Sequence, residues 1–89
     1  MNAEGLYSEI VRELEKRADA RLAEKEMYYH KKVGANFKAY GIGATEFNEL
    51  LRKYRPIFRQ LSSEERMELS KRFFISGYGG QMSFGIALL

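Results

Sequence analysis

The sequence predicts an all-α fold of four to five antiparallel helices. Two observations predict it. Apolar residues recur at helical spacing between glycine clusters at Gly41 and Gly43 and at Gly77, Gly79, Gly80 and Gly85. The connections between these periodic segments are short, so successive helices double back on one another.

The first helix is expected from Ala3 to about Arg17. Leu6, Ile10, Leu14 and Ala18 recur every four residues, and Tyr7 and Val11 widen the stripe. Glu13 and Arg17 form a favourable i,i+4 pair. Asp19 is a candidate N-cap for a second helix from Ala20 to about Val33. The alternative is one long helix running through Ala18. Two stripes compete on the second helix: Ala23, Met27 and His30, or Leu22, Tyr29 and Val33.

Gly34 to Gly43 reads as a connection. Lys31 and Lys32 before Gly34 suit the negative end of a helix dipole. Phe37 and Tyr40 are expected to tuck into the core beneath it. Thr45 is the expected N-cap of the third helix, whose stripe is Phe47, Leu50, Leu51, Tyr54 and Phe58. Pro56 cannot donate to the Arg52 carbonyl, so a kink or an end is expected there, with at most a last turn through Arg59. Ser62 followed three residues later by Glu65 is a capping-box pattern and opens a fourth helix, Ser63 to Ile75. Met67, Leu69, Phe73 and Phe74 are its expected apolar face, and Ser76-Gly77 its stop. A fifth helix follows Gly80. The apolar alternation of Met82, Phe84, Ile86 and Leu88 also fits a strand, but a lone strand has no partner here.

The chain of 89 residues is one small domain, 1–89, with a thin margin of stability. It has no cysteine, so no disulfide or thiolate-bound metal supports it, which suits a reducing cytoplasm. No apolar run approaches the ~20 residues of a membrane span, and Met1 to Glu9 lacks a basic-then-apolar export signal. The expectation is a cytoplasmic protein without a membrane partner. The apolar end Ile86-Ala87-Leu88-Leu89 predicts that the natural protein continues, as the N-terminal part of a longer helical protein, or packs against a partner chain. Met82, Phe84, Ile86, Leu88 and Leu89 would then lack cover, and homo-oligomers through this end are expected; the alternative is a monomer whose tail folds back on the third and fourth helices.

The net charge of +3 does not specify nucleic acid, but it permits a basic face if the cations segregate. Arg52, Lys53, Arg55 and Arg59 form the densest basic patch, and Arg52, Arg55 and Arg59 share one helical face at i, i+3 and i+7. They are the candidate DNA-backbone contacts; a solubilising surface is the alternative. Most aromatic rings fall on core stripes, whereas Tyr28, Tyr29 and Tyr78 are not committed to one. His30, the only histidine, has no acid paired with it by spacing and reads as a packing residue. Gly77-Tyr78-Gly79-Gly80 lacks the Lys-Ser or Lys-Thr of a nucleotide loop and reads as a turn. No cofactor or metal pattern is present in the sequence, and no catalytic set can be assigned from it.

From about Tyr28 to Leu89 the chain resembles the N-terminal part of the DNA alkylation repair enzyme family. The residues that carry the resemblance are Lys38-Ala39-Tyr40-Gly41-Ile42, then the helix with Leu50, Leu51 and Tyr54-Arg55. Leu61-Ser62-Ser63-Glu64-Glu65-Arg66 follows, then Ser76-Gly77-Tyr78 and a helix start near Gln81. The chain has Ala44 where the family often has proline, and Gly79-Gly80-Gln81 where it favours an acid. The resemblance implies helix pairs stacked like HEAT repeats into a concave α-α superhelix, and an association with DNA repair. The family includes alkylpurine DNA glycosylases. Its catalytic acid and lesion-contacting groups lie farther along the superhelix and have no counterpart in these residues. What the resemblance implies is a non-catalytic segment associated with DNA repair, and the basic patch adds weak, non-specific DNA-backbone binding at most. A helical protein–protein interaction module with no DNA role is the alternative.

Overall fold

The computed structural model describes residues 2–34 and 36–89; Met1, and Ala35 within the predicted connection, lie outside the described residues. The described residues form five helices: α1 Ala3–Lys16, α2 Ala20–Lys32, α3 Ala44–Arg59, α4 Ser63–Ile75 and α5 Gly79–Leu88. The fold is all-α. The strand reading of the last segment gives way to α5, and the sole β pairing among the described residues is an isolated parallel bridge between Lys38 and Tyr78.

α1 begins where the Asn2 side chain accepts a hydrogen bond from the Gly5 N–H at 2.7 Å, a cap that satisfies one orphan donor. Leu6, Ile10 and Leu14 are fully buried. Ala18 leaves the expected stripe because the helix stops at Lys16, with Arg17 as its C-cap, and Ala18 is exposed. The Arg17 guanidinium donates to the Glu13 carboxylate, and this bond holds that carboxyl below its usual range.

The chain breaks after α1 rather than continuing as one long helix. The Asp19 side chain accepts from the Arg21 and Leu22 N–H groups at 2.9 and 3.1 Å. The Asp19 N–H itself donates to the Tyr40 carbonyl at 3.0 Å. Gly41 then passes so close that an added Cβ would overlap the Asp19 carbonyl and the Ala23 amide, and its φ of +76° is left-handed. The Asp19 side-chain cap and the backbone of this loop together seat the start of α2.

α3 starts two residues earlier than expected. Gly43 is the N-cap without a side-chain bond, and Thr45 is the second helical residue. Gly43 already adopts the extended conformation a cap requires, so Thr45 is drawn into the first turn. The helix does not end at Pro56 but runs one turn further, to Arg59. Burial of Phe58 and partial burial of Ile57 beyond the proline offset the lost hydrogen bond.

α4 has the expected bounds. The Ser62 hydroxyl accepts from the Glu65 N–H at 3.1 Å, while the Glu65 carboxylate accepts from the Ser62 N–H at 2.9 Å. Those bonds lower the Glu65 pKa. Its buried face is Leu69, Ser70 and Phe73, whereas Met67 is 61% exposed and Phe74 37% exposed. Ser70 enters the interior because a small side chain lets α5 approach; its hydroxyl donates to the Gly85 carbonyl at 3.1 Å.

α5 packs most extensively on α4 and also on α3, and α1 packs on α4. Phe84 sits at the centre of the core. Its ring centroid lies 5.4 Å from that of Phe47, 5.8 Å from Phe73, and 6.2 Å from both Tyr54 and Phe58. The cover expected to be missing from the last segment is therefore supplied within the chain for Phe84 and Leu88, which are buried. Met82 is half-buried, and Ile86 and Leu89 remain exposed. No described helix is long and apolar enough to cross a membrane.

Candidate nucleic-acid interface

α3 turns Leu50, Tyr54 and Phe58 inward. At 100° per residue this aims Arg52, Arg55 and Arg59 away from the core, and all three are exposed. Glu49 precedes Arg52 by three residues and Lys53 by four, yet neither pair closes within ion-pair distance. Among the described residues the ion pairs are Glu13 with Lys16 and with Arg17. The α3 guanidiniums thus carry no internal counter-charge.

A fourth cation joins them that the spacing on α3 did not reveal. Arg66, from the first turn of α4, reaches back to the end of α3. Its Nε donates to the Phe58 carbonyl at 3.0 Å and its Nη2 to the Arg59 carbonyl at 2.9 Å. These bonds satisfy carbonyls at a helix C-terminus, where cations are favoured. Arg55, Arg59 and Arg66 line a shallow groove of about 240 Å³, walled on the far side by Leu88 and Leu89. Arg52 lies outside the groove lining, one turn towards the α3 N-terminus. The structure brings Arg55 and Arg59 together with Arg66, and leaves Arg52 as an outlying cation on the same face.

A second concavity of about 370 Å³ opens between α2, the 40–44 loop and the start of α5. Glu26, His30, Tyr40, Phe47 and Ser83 line it. His30 is half-buried, its Nδ1 is buried without a hydrogen-bond partner, and its ring meets Phe37 edge-on at 5.9 Å. His30 is thus a packing residue as the sequence suggests, while Phe37 is more open than expected, at 39% exposure.

The residues that carry the family resemblance meet beside this concavity. The Lys38 N–H donates to the Gly77 carbonyl at 2.8 Å, and the Gly79 N–H donates to the Lys38 carbonyl at 2.9 Å. Tyr40 stacks on Tyr78 with centroids 4.4 Å apart. Gln81 is buried and bonded at both ends of its amide: its Oε1 accepts from the Tyr7 hydroxyl at 2.7 Å and its Nε2 donates to the Tyr40 hydroxyl at 2.8 Å. Burial raises the Tyr40 pKa, and the bond from Gln81 opposes that shift. Tyr78, uncommitted in the sequence, is thus a structural ring. Tyr28 and Tyr29 are 58% and 55% exposed.

Among the described residues no group of three or more His, Asp or Glu side chains is placed to hold a metal. Compared with known protein families, with curated proteins and with solved structures, the chain matches none.

Proposed function

We propose that this chain is a non-catalytic, HEAT-like segment of a cytoplasmic DNA alkylation repair-like protein, and that it holds the phosphate backbone of DNA weakly and without sequence preference. The observation that supports the reading is the solvent-facing row Arg52, Arg55 and Arg59, uncompensated by any carboxylate within ion-pair distance. Arg66 extends that row across the α3–α4 turn. Guanidiniums suit phosphate because they donate in a planar fork and stay charged. Such contacts position a duplex and carry no base information. Catalysis is assigned elsewhere in the family, because its catalytic acid has no counterpart in these residues.

Fluorescence anisotropy with labelled duplex DNA tests the proposal. Three neutralised phosphates give a slope of log K against log salt near −2.7, at about −0.9 each. Arg52→Glu with Arg55→Glu is expected to abolish most of that slope. Unchanged binding in the double variant would remove this face from consideration. Purified protein is expected to release no methylated purine from alkylated DNA.

The alternative, a module that holds another protein, draws support from Ile75, Ile86 and Leu89, which are 83%, 64% and 87% exposed. An apolar interface, including one between two copies, would show little salt dependence, so the same titration separates the two readings.

A further inference from the structure

We propose that the outward face of α2 binds single-stranded nucleic acid, with Tyr28 and Tyr29 as stacking platforms for bases and Arg21, Lys25 and Lys32 as the phosphate contacts.

The structure resolves the competition between the two stripes of α2. Ala23 is the one buried residue of the helix, and Met27 and His30 on its side are half-buried. Leu22 and Tyr29 on the rival stripe stay open, at 42% and 55% exposure. At 100° per residue, Arg21, Lys25 and Lys32 fall on one arc of the outward face, with Tyr28 on one side of it and Tyr29 on the other. All five are exposed.

Three features make this arc fit bases joined by phosphates. The rings are large, rigid and more than half open to solvent, and their centroids lie 5.7 Å apart. The Lys32 ammonium lies over one face of the Tyr28 ring, 5.0 Å from its centroid, so a base stacks on the opposite face or displaces this flexible side chain towards the phosphate. The cations lack internal partners: no ion pair joins them to any described carboxylate. Glu26 faces the concavity, Glu24 falls beside Lys31 on the helical wheel, outside the arc, and no acid occurs between Glu26 and Glu46. A duplex hides its base faces, so accessible rings interleaved with cations favour an unpaired strand. An acidic helical peptide would use the same charges, but it gains nothing from aromaticity.

This inference does not rest on the α3 reading, and its test uses different residues. Anisotropy with labelled oligo-dT is measured for the full chain and for two double variants. Tyr28→Phe/Tyr29→Phe keeps the rings; Tyr28→Leu/Tyr29→Leu keeps apolar area and removes them. Circular dichroism checks that both remain helical, as expected for exposed positions. The Phe pair is expected to bind like the parent, and the Leu pair to lose at least about fivefold per ring. Lys25→Ala with Lys32→Ala is expected to reduce the salt slope by about 1.4, at about 0.7 per contact. Equal binding by the Leu and Phe pairs would overturn the proposal and leave the cations alone as the source of binding. It is also overturned if the parent chain fails to bind oligo-dT, or binds base-free polyphosphate equally well. Arg52→Glu/Arg55→Glu is expected to leave the dependence on the tyrosine rings intact, so each surface stands or fails separately.

Discussion

Gln81 shows how much one polar side chain can join. It is buried in an apolar helix, yet both ends of its amide are used, by Tyr7 from α1 and by Tyr40 from the loop before α3. Gln81→Ala would strand two hydroxyls, and an expected loss of about 2–3 kcal/mol follows from their desolvation; urea denaturation measures it. Tyr54 is the opposite case. Its ring is fully buried and its hydroxyl, though close to the Glu9 carboxylate, closes no hydrogen bond of good geometry, so Tyr54→Phe is expected to be neutral or to stabilise by up to about 1 kcal/mol. Burial raises the Tyr54 pKa, and the nearby Glu9 carboxylate adds to the shift. For an acid whose folded pKa lies above its unfolded value, stability is intact below the unfolded value, near pH 10, and is lost as pH rises beyond it. Tyr40 shifts the same way. Alkaline unfolding monitored by circular dichroism should therefore begin above about pH 10 and begin later relative to neutral stability in Tyr54→Phe. The burial of Tyr54 was legible in the α3 stripe, but its unpartnered hydroxyl and the roles of Gln81 and Arg66 were not, because each depends on groups brought together by tertiary packing.

Elements were legible where local chemistry decides them. The Ser62–Glu65 box and the left-handed Gly77 bound α4 without help from the rest of the chain. The 3.6-residue period fixed the faces of α1 and α3 for the same reason. Where backbone fit decides, local reading stopped short: Gly43 displaced Thr45 as the α3 cap, and Gly41 packed against Asp19 helps the Asp19 cap to seat α2. α4 turned Ser70 inward and Met67 outward because close approach to Gly85 outweighs side-chain hydrophobicity there. Pro56 is the element's internal cost. Restoring an N–H for the Arg52 carbonyl would regain much of a ~3 kcal/mol penalty, less the entropy that proline removes from the unfolded chain. Pro56→Ala is expected to stabilise by about 1–2 kcal/mol, read as a higher Tm, with the basic face unaltered.

At the scale of the molecule, stability is unevenly distributed. α1, α3, α4 and α5 share one core, whereas α2 contributes Ala23 alone to the buried residues. Amide exchange should accordingly be fastest in α2, through local opening well below the free energy of global unfolding; equal protection of α2 and α4 would contradict this. The bond between Tyr7 and Gln81 spans 74 positions of sequence, whereas α4 and α5 meet across the short turn at Ser76 to Tyr78. Closing a long loop costs entropy before its contacts repay it. The α4–α5 hairpin is therefore the expected nucleus of folding, with α1 docking after the rate-limiting barrier. In a stopped-flow chevron, Ile10→Val should chiefly accelerate unfolding, while Phe84→Leu should slow folding. α1 would thus wait for α4 and α5, far ahead of it in sequence, to supply the surface and the amide it needs before it becomes native.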